Sequence, residues 1–189
     1  MSKVVLKLIL VGQGGVGKTS LVKRYIDDSF TKTYQMTLGQ ELYSKEIKFH
    51  DIRCVLNIHD LAGQERFSKF RQIYLRRADL GFLVFDITSQ VSLKDLETNW
   101  LSEIEQTILE QFTSKSQTFP VILVGNKIDL KASHNSVNQN EVNNLKRRIK
   151  TKYPQIKLIS YIETSALENK NVDEAFTELV KDYLRIKKD

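Results

Sequence analysis

Gly12-Gln13-Gly14-Gly15-Val16-Gly17-Lys18-Thr19 decides how this chain is read. The stretch fits the phosphate-binding pattern G-x-x-x-x-G-K-[ST]. Before it, Lys3 to Val11 reads KVVLKLILV, an apolar run with the composition of a buried strand. After it, Ser20 to Tyr25 opens a helix. Strand, glycine-rich loop and helix is the order this chemistry requires. Glycines let the backbone curl so that its N–H groups face a phosphate. The helix N-terminus adds unpaired N–H groups and partial positive charge. Lys18 can reach the outer phosphates, and the Thr19 hydroxyl can ligate a magnesium ion.

Outward from that loop, strands and helices alternate. Asp27 to Gln40 has neither helical nor strand period and reads as a mobile loop. Glu41 to Phe49 and Ile52 to Ile58 form a hairpin about His50-Asp51. His59 to Glu65 reads as a second loop, and Phe67 to Arg77 as a short, irregular helix. Leu80 to Asp86, LGFLVFD, is a central strand. Ser92 to Phe112 has one helical stripe, Leu96, Trp100, Ile104, Ile108 and Phe112, taken as core anchors. Thr113 to Phe119 is a polar connection before a strand opened by Pro120. A basic helix covers Glu141 to Lys152, the last strand Leu158 to Glu163, and the last helix Val172 to Tyr183. The expected fold is α/β: six strands, mostly parallel, with one antiparallel edge strand and helices on both faces. Ligands in such sheets lie beyond the C-terminal ends of the strands, where the candidate loops fall.

The bulk properties narrow the class. The chain has 189 residues with 41% apolar composition, enough for one sizeable core. No apolar stretch reaches the roughly 20 residues that a membrane span needs. Met-Ser-Lys runs directly into a strand, so no secretory leader is expected. The single cysteine, Cys54, cannot pair internally or build a cysteine metal site, and a reducing, cytoplasmic setting is the natural expectation. Net charge is +6, with clusters at Lys146, Arg147, Arg148, Lys150 and Lys152 and at Arg185, Lys187 and Lys188. These are ordinary surface lysines and arginines, or a weak peripheral contact for an anionic membrane. There is no long basic stripe or aromatic stacking surface, so no specific nucleic acid is expected.

Three further constellations carry chemistry. Asp60-Leu61-Ala62-Gly63 sets an acid suited to a magnesium-bound water beside a glycine N–H suited to a terminal phosphate oxygen. Asn126-Lys127-Ile128-Asp129 follows the VILVG strand. The Asp129 carboxylate can accept from guanine N1–H and N2–H₂, whereas adenine offers the wrong groups. Asn126 could tie this loop to the phosphate loop, and the Lys127 stem could lie over the base. Asn and Asp in such places more commonly serve as helix caps. After the last strand, Ser165 can brace Asp129, and the Ala166 N–H can donate to guanine O6.

Together with Thr37 and Ser165-Ala166-Leu167, these motifs make the chain resemble a Ras-superfamily small GTPase over about residues 4 to 184. Within the superfamily it is most similar to the Rab branch, through Asp60 to Phe67 (DLAGQERF), Tyr34-Gln35-x-Thr37-Leu38-Gly39 and Phe82 to Thr88 (FLVFDIT). The resemblance implies a P-loop G domain over residues 1–184 with a basic tail at 185–189. It implies GTP/GDP and Mg²⁺ as ligands and slow hydrolysis of GTP. Gly14, Gly15, Val16, Gly17, Lys18, Thr19 and Ser20 would hold the phosphates. Phe30 would pack on the guanine edge, Tyr34 could cover the phosphates, and Asn126, Lys127, Asp129, Ser165, Ala166 and Leu167 would hold the base. Thr19, Thr37 and Asp60 would bind magnesium, Asp60 through a water. Thr37 and Gly63 would sense the γ-phosphate and, with Lys18, act in catalysis, while Gln64 would orient the attacking water. An exchange factor, a GTPase-activating protein and effectors would meet a monomer at its switch loops, in vesicle trafficking. The alternative is a guanine-nucleotide-binding scaffold that does not cycle.

The chain also departs from the Rab pattern. Leu42, His59 and Tyr74 stand where the branch carries a phenylalanine, a tryptophan and a tyrosine, which gives less rigid stacking area for effectors. His59 reads equally as a hydrogen-bonded surface histidine. Leu61 replaces the usual threonine. The last residues, Arg185-Ile186-Lys187-Lys188-Asp189, contain no cysteine for prenylation. The expectation is either a longer natural tail that reaches the cytosolic face of membranes or a protein without lipid.

Overall fold

The computed structural model describes residues 2–30, 36–63, 68–132 and 134–186. Tyr34 and Gln64 lie outside them. Six strands, β1 (Ser2–Val11), β2 (Gln40–Phe49), β3 (Ile52–Leu61), β4 (Leu80–Asp86), β5 (Phe119–Asn126) and β6 (Ile156–Thr164), form one sheet in the order β2-β3-β1-β4-β5-β6. Every neighbouring pair is parallel except β2–β3, which is an antiparallel hairpin at the edge. Crossover helices explain the parallel pairs, because a parallel connection must return along a face of the sheet.

Alternation along β1 divides the core. Leu6, Leu8 and Leu10 face a cluster built with α1 (Lys18–Asp27) and α6 (Val172–Ile186). There Tyr25 stacks on Phe176 with ring centroids 3.8 Å apart, and Phe82 meets Phe176 edge-on. Ile9 and Val11 face the opposite cluster, with Phe85, Trp100, Ile104, Leu123, Leu145 and Ile149. Strands β4 and β5 are apolar on both faces because helices cover both. Cys54 is wholly buried on β3, and burial pushes its thiol up to about 11.

Two expectations need correction. His59, Asp60 and Leu61 belong to β3 and not to the following loop. Ile9 and Leu10 of β1 pair with His59 and Asp60, and Gln40 of β2 pairs with Leu61, so both neighbours extend the strand. The helix expected over Ser92 to Phe112 is also not uniform. It runs as α3 (Gln90–Asp95), a wide π-turn at Leu96–Trp100, α4 (Leu101–Thr107) and a final tight turn at Leu109–Gln111. The Leu101 N–H bonds back to Leu96 O across the wide turn. The anchors Leu96, Trp100, Ile104 and Ile108 are nevertheless all buried, and Phe112 packs against them.

The remaining helices are α2 (Ser68–Leu75) and α5 (Gln139–Lys152). A reciprocal cap between Asn138 and Glu141 starts α5. Two of its basic residues, Arg148 and Lys152, pair with Glu97. Helix α6 runs to Ile186, so Arg185 continues the helix.

Candidate functional site

The loop after β1 and the start of α1 form the first wall. Gly17 precedes the helix in a left-handed conformation, φ +97°, and no side chain caps the helix there. A Cβ on Gly17 would lie 2.3 Å from Asn126 Nδ2, so glycine is required both by conformation and by space. The first turn of α1 carries no acid, leaving its N-terminal N–H groups open to an anion. Lys18, 6% exposed, bends over the loop and donates to Gly12 O at 2.6 Å and Gln13 O at 3.0 Å. Burial lowers its pKa to about 8, with Asp60 the opposing influence. A buried ammonium that, among the described residues, donates to carbonyl oxygens is set to meet a stronger anion.

Behind this loop, Thr19, Thr37 and Asp60 converge from α1, the segment before β2, and β3. The Thr19 hydroxyl lies 3.0 Å from that of Thr37 and donates to Asp60 Oδ2, and Thr37 approaches the same oxygen at 3.5 Å. Asp60 is fully buried, and burial raises its pKa. Its other oxygen, Oδ1, has no protein partner among the described residues. Two hydroxyls and a carboxylate with an orphaned buried oxygen are a hard-oxygen donor set that fits a magnesium ion.

Gly63 completes the wall. A Cβ there would fall 2.4 Å from Gly14 N and 2.5 Å from Gly12 O, so the backbone rests on the phosphate loop and admits no side chain. The preceding Ala62 donates its N–H to Gly39 O at 2.9 Å, which joins the loop after β3 to the segment before β2.

The second wall is built where β5 and β6 end. Asn126, 1% exposed, donates from Nδ2 to Val16 O at 2.9 Å. Its Oδ1 accepts from Thr164 Oγ1 at 3.1 Å and from the Ala166 N–H at 3.3 Å. One carboxamide thereby fixes the phosphate loop, the end of β6 and the segment after it. Ser165, after the last strand, donates to Asp129 Oδ1 at 2.5 Å. Lys127 adopts a left-handed conformation and pairs with Asp86 at 2.6 Å. Burial opposes the Asp86 carboxylate, but hydrogen bonds from Lys127 and Thr88 outweigh it and keep its pKa low. Phe30 packs at the edge of the α1–α6 cluster, and Leu167 is exposed. Ser20 lies in the first turn of α1.

Several contributors escape sequence reasoning. Thr164 is buried and satisfies Asn126, yet a threonine ending a strand carries no signal. Arg24 of α1 donates to Ala166 O at 2.9 Å and to Leu167 O at 3.2 Å, tying the segment after β6 to the helix that starts at Lys18. His59 is hydrogen-bonded to Gln40 at 2.8 Å, and burial lowers its pKa to about 4. It lies across the hairpin from exposed Leu42, while Tyr74 is half-buried.

Comparison with known proteins agrees with this geometry. The model of the Ras family matches residues 7–185. The GTP-binding protein yptV5 of Volvox carteri is 38% identical over 185 residues, covering 98% of this chain and 85% of that protein. The Ras-related protein Rab7 of Pisum sativum is 36% identical over 183 residues, covering 97% and 84%. RABG3f of Arabidopsis thaliana matches with the same identity and coverage.

Proposed function

The chain belongs to the Ras family as a Rab-like small GTPase that hydrolyses GTP, and on that premise we propose which residues make it a guanine-nucleotide switch in membrane trafficking. The observation that carries the assignment is the Asn126 carboxamide. It joins the phosphate loop through Val16 to the segment after β6 through Ala166, which sets both beside one another and supports a single ligand that spans them. A guanine nucleotide is such a ligand. Asp129, braced by Ser165, accepts from the base edge, the Ala166 N–H is shared between Asn126 Oδ1 and guanine O6, Lys127 and Phe30 flank the ring, and Leu167 borders it.

On the phosphate side, Gly14, Gly15, Val16 and Gly17 offer backbone N–H groups, with Lys18, Thr19 and Ser20 at the helix start. Mg²⁺ would be held by Thr19, Thr37 and Asp60 and, when bound, supplies positive charge beside the phosphate oxygens. The γ-phosphate is met by the N–H groups of Thr37 and Gly63. Hydrolysis spreads charge over the phosphoryl oxygens, and Lys18 with the loop N–H groups stabilises that charge. Gln64 orients the attacking water, and Tyr34 covers the phosphates. No internal arginine is assigned to the transferred phosphoryl group. Intrinsic turnover is therefore slow and is raised by an arginine that a GTPase-activating protein brings. This role for Ras-type enzymes is general chemistry of the class.

Loss of the γ-phosphate removes the contacts to Thr37 and Gly63, and exchange factors and effectors read that difference. Residues 1–184 are assigned to the catalytic domain. Among the described residues no helix is long and apolar enough to cross a membrane.

A single-turnover assay on nucleotide-stripped protein tests this reading. Slow conversion of GTP, accelerated by an activating protein and uncontested by ATP, is expected. Equal competition by ATP would overturn the guanine assignment.

A further inference from the structure

Helix α2 carries an arginine that the mechanism above does not use. Arg71 is 3% exposed, and its guanidinium is seated on three sides. Nε donates to Glu103 Oε2 at 3.0 Å and Nη2 to Glu103 Oε1 at 2.5 Å, a two-pronged pair with α4. The cation lies 4.3 Å from the centre of the Trp100 ring. Nη1 reaches the Ala62 carbonyl at 3.5 Å. Trp100 is itself held, because its indole N–H donates to Asp95 Oδ2 at 2.8 Å across the π-turn. Trp100 and Glu103, three residues apart across the end of that turn, share the face presented to α2.

A buried ion pair adds little net stability over apolar side chains of the same volume, but it fixes geometry, because its donors and acceptors must all be met. What it fixes here is the peptide between Ala62 and Gly63. That unit is planar and trans, so its C=O and N–H point in opposite directions. Holding the Ala62 carbonyl toward Arg71 aims the Gly63 N–H away from α2. The same short segment is bonded to Gly39 through the Ala62 N–H and rests on Gly12 and Gly14.

We propose that Arg71, seated on Trp100 and Glu103, is a positioning residue that orients the Gly63 N–H for the γ-phosphate and so sets the preference for GTP over GDP. The proposal rests on the reading that Gly63 meets the γ-phosphate. It makes the π-turn between α3 and α4 part of the switch, although no residue of that turn is assigned to the nucleotide.

The test compares dissociation of fluorescent GDP and of a fluorescent non-hydrolysable GTP analogue, both with Mg²⁺, from wild type, Arg71→Met and Glu103→Gln. Each variant should release the analogue about tenfold faster, the size of one lost charge-assisted bond, with GDP release changed less than about twofold. Arg71→Lys, which keeps the charge but not the fork, should behave like Arg71→Met. Glu103→Gln preserves shape and decides the matter if Arg71→Met does not fold. Equal acceleration of GDP and analogue release would indicate a merely structural role and overturn the proposal, as would unchanged release of both from Glu103→Gln. Wild-type protein that retains neither nucleotide would instead overturn the guanine reading, and this proposal with it.

Discussion

Where β5 and β6 end, Asn126, Thr164, Ser165 and Asp129 bond to one another and to the backbone, and Arg24 ties the segment to α1. Where β1 and β3 end, Gly63 touches the phosphate loop through its backbone, and Asp60 keeps a buried oxygen without a partner among the described residues. On the proposed function, the first is the base end, held together by its own side chains. On the same reading, the second is the phosphate end, where a cation and a phosphate would meet Asp60, Thr37 and Gly63. The proposed function therefore separates affinity and state discrimination in space. A base-end lesion should weaken GDP and GTP alike, whereas a phosphate-end lesion should separate them.

The largest effect should come from the base end. Asp129→Asn removes a charged acceptor of two hydrogen bonds, so guanine nucleotide affinity should fall roughly 100- to 10,000-fold and xanthine nucleotides should gain. Titration with both nucleotide types checks this, and an equal loss for GDP and GTP is part of the prediction. Next, Gln64→Leu should leave both affinities intact while lowering the single-turnover rate with an activating protein by about two orders of magnitude. Unchanged hydrolysis would remove Gln64 from the chemistry. Thr37→Ala should weaken GTP about tenfold and GDP hardly at all, by calorimetry in Mg²⁺. Equal losses would erase the distinction between the two ends. Ser165→Ala should be the mildest, a few-fold faster release of either nucleotide, because Asp129 keeps its charge and loses one brace.

Most of this site could be read in advance because its motifs are local. Gly12 to Thr19 and Asn126 to Asp129 each lie in one continuous stretch at a strand's end, where loop chemistry and strand pattern reinforce each other. The end of β3 was harder. His59 and Asp60 carry the signature of a turn, and only pairing with β1 and β2 keeps them extended. Asp60 is buried there because it faces the hydroxyls of Thr19 and Thr37 and not the apolar core. The π-turn was hidden for a different reason. Anchors spaced by four drift about 40° per step around an ideal helix. One wide turn absorbs the drift and returns Ile104 and Ile108 to the core, but the stripe alone does not say where. Arg71 was invisible altogether, since Glu103 and Trp100 are about thirty residues away and nothing local announces them.

Cys54 is the chain's one thiol, sealed within the sheet and held protonated well above neutral pH. A cysteine introduced at solvent-exposed Leu38 would therefore be the sole target of a maleimide dye. Placed one residue after Thr37, such a dye would report optically, molecule by molecule, whether the segment before β2 has closed on its ligand.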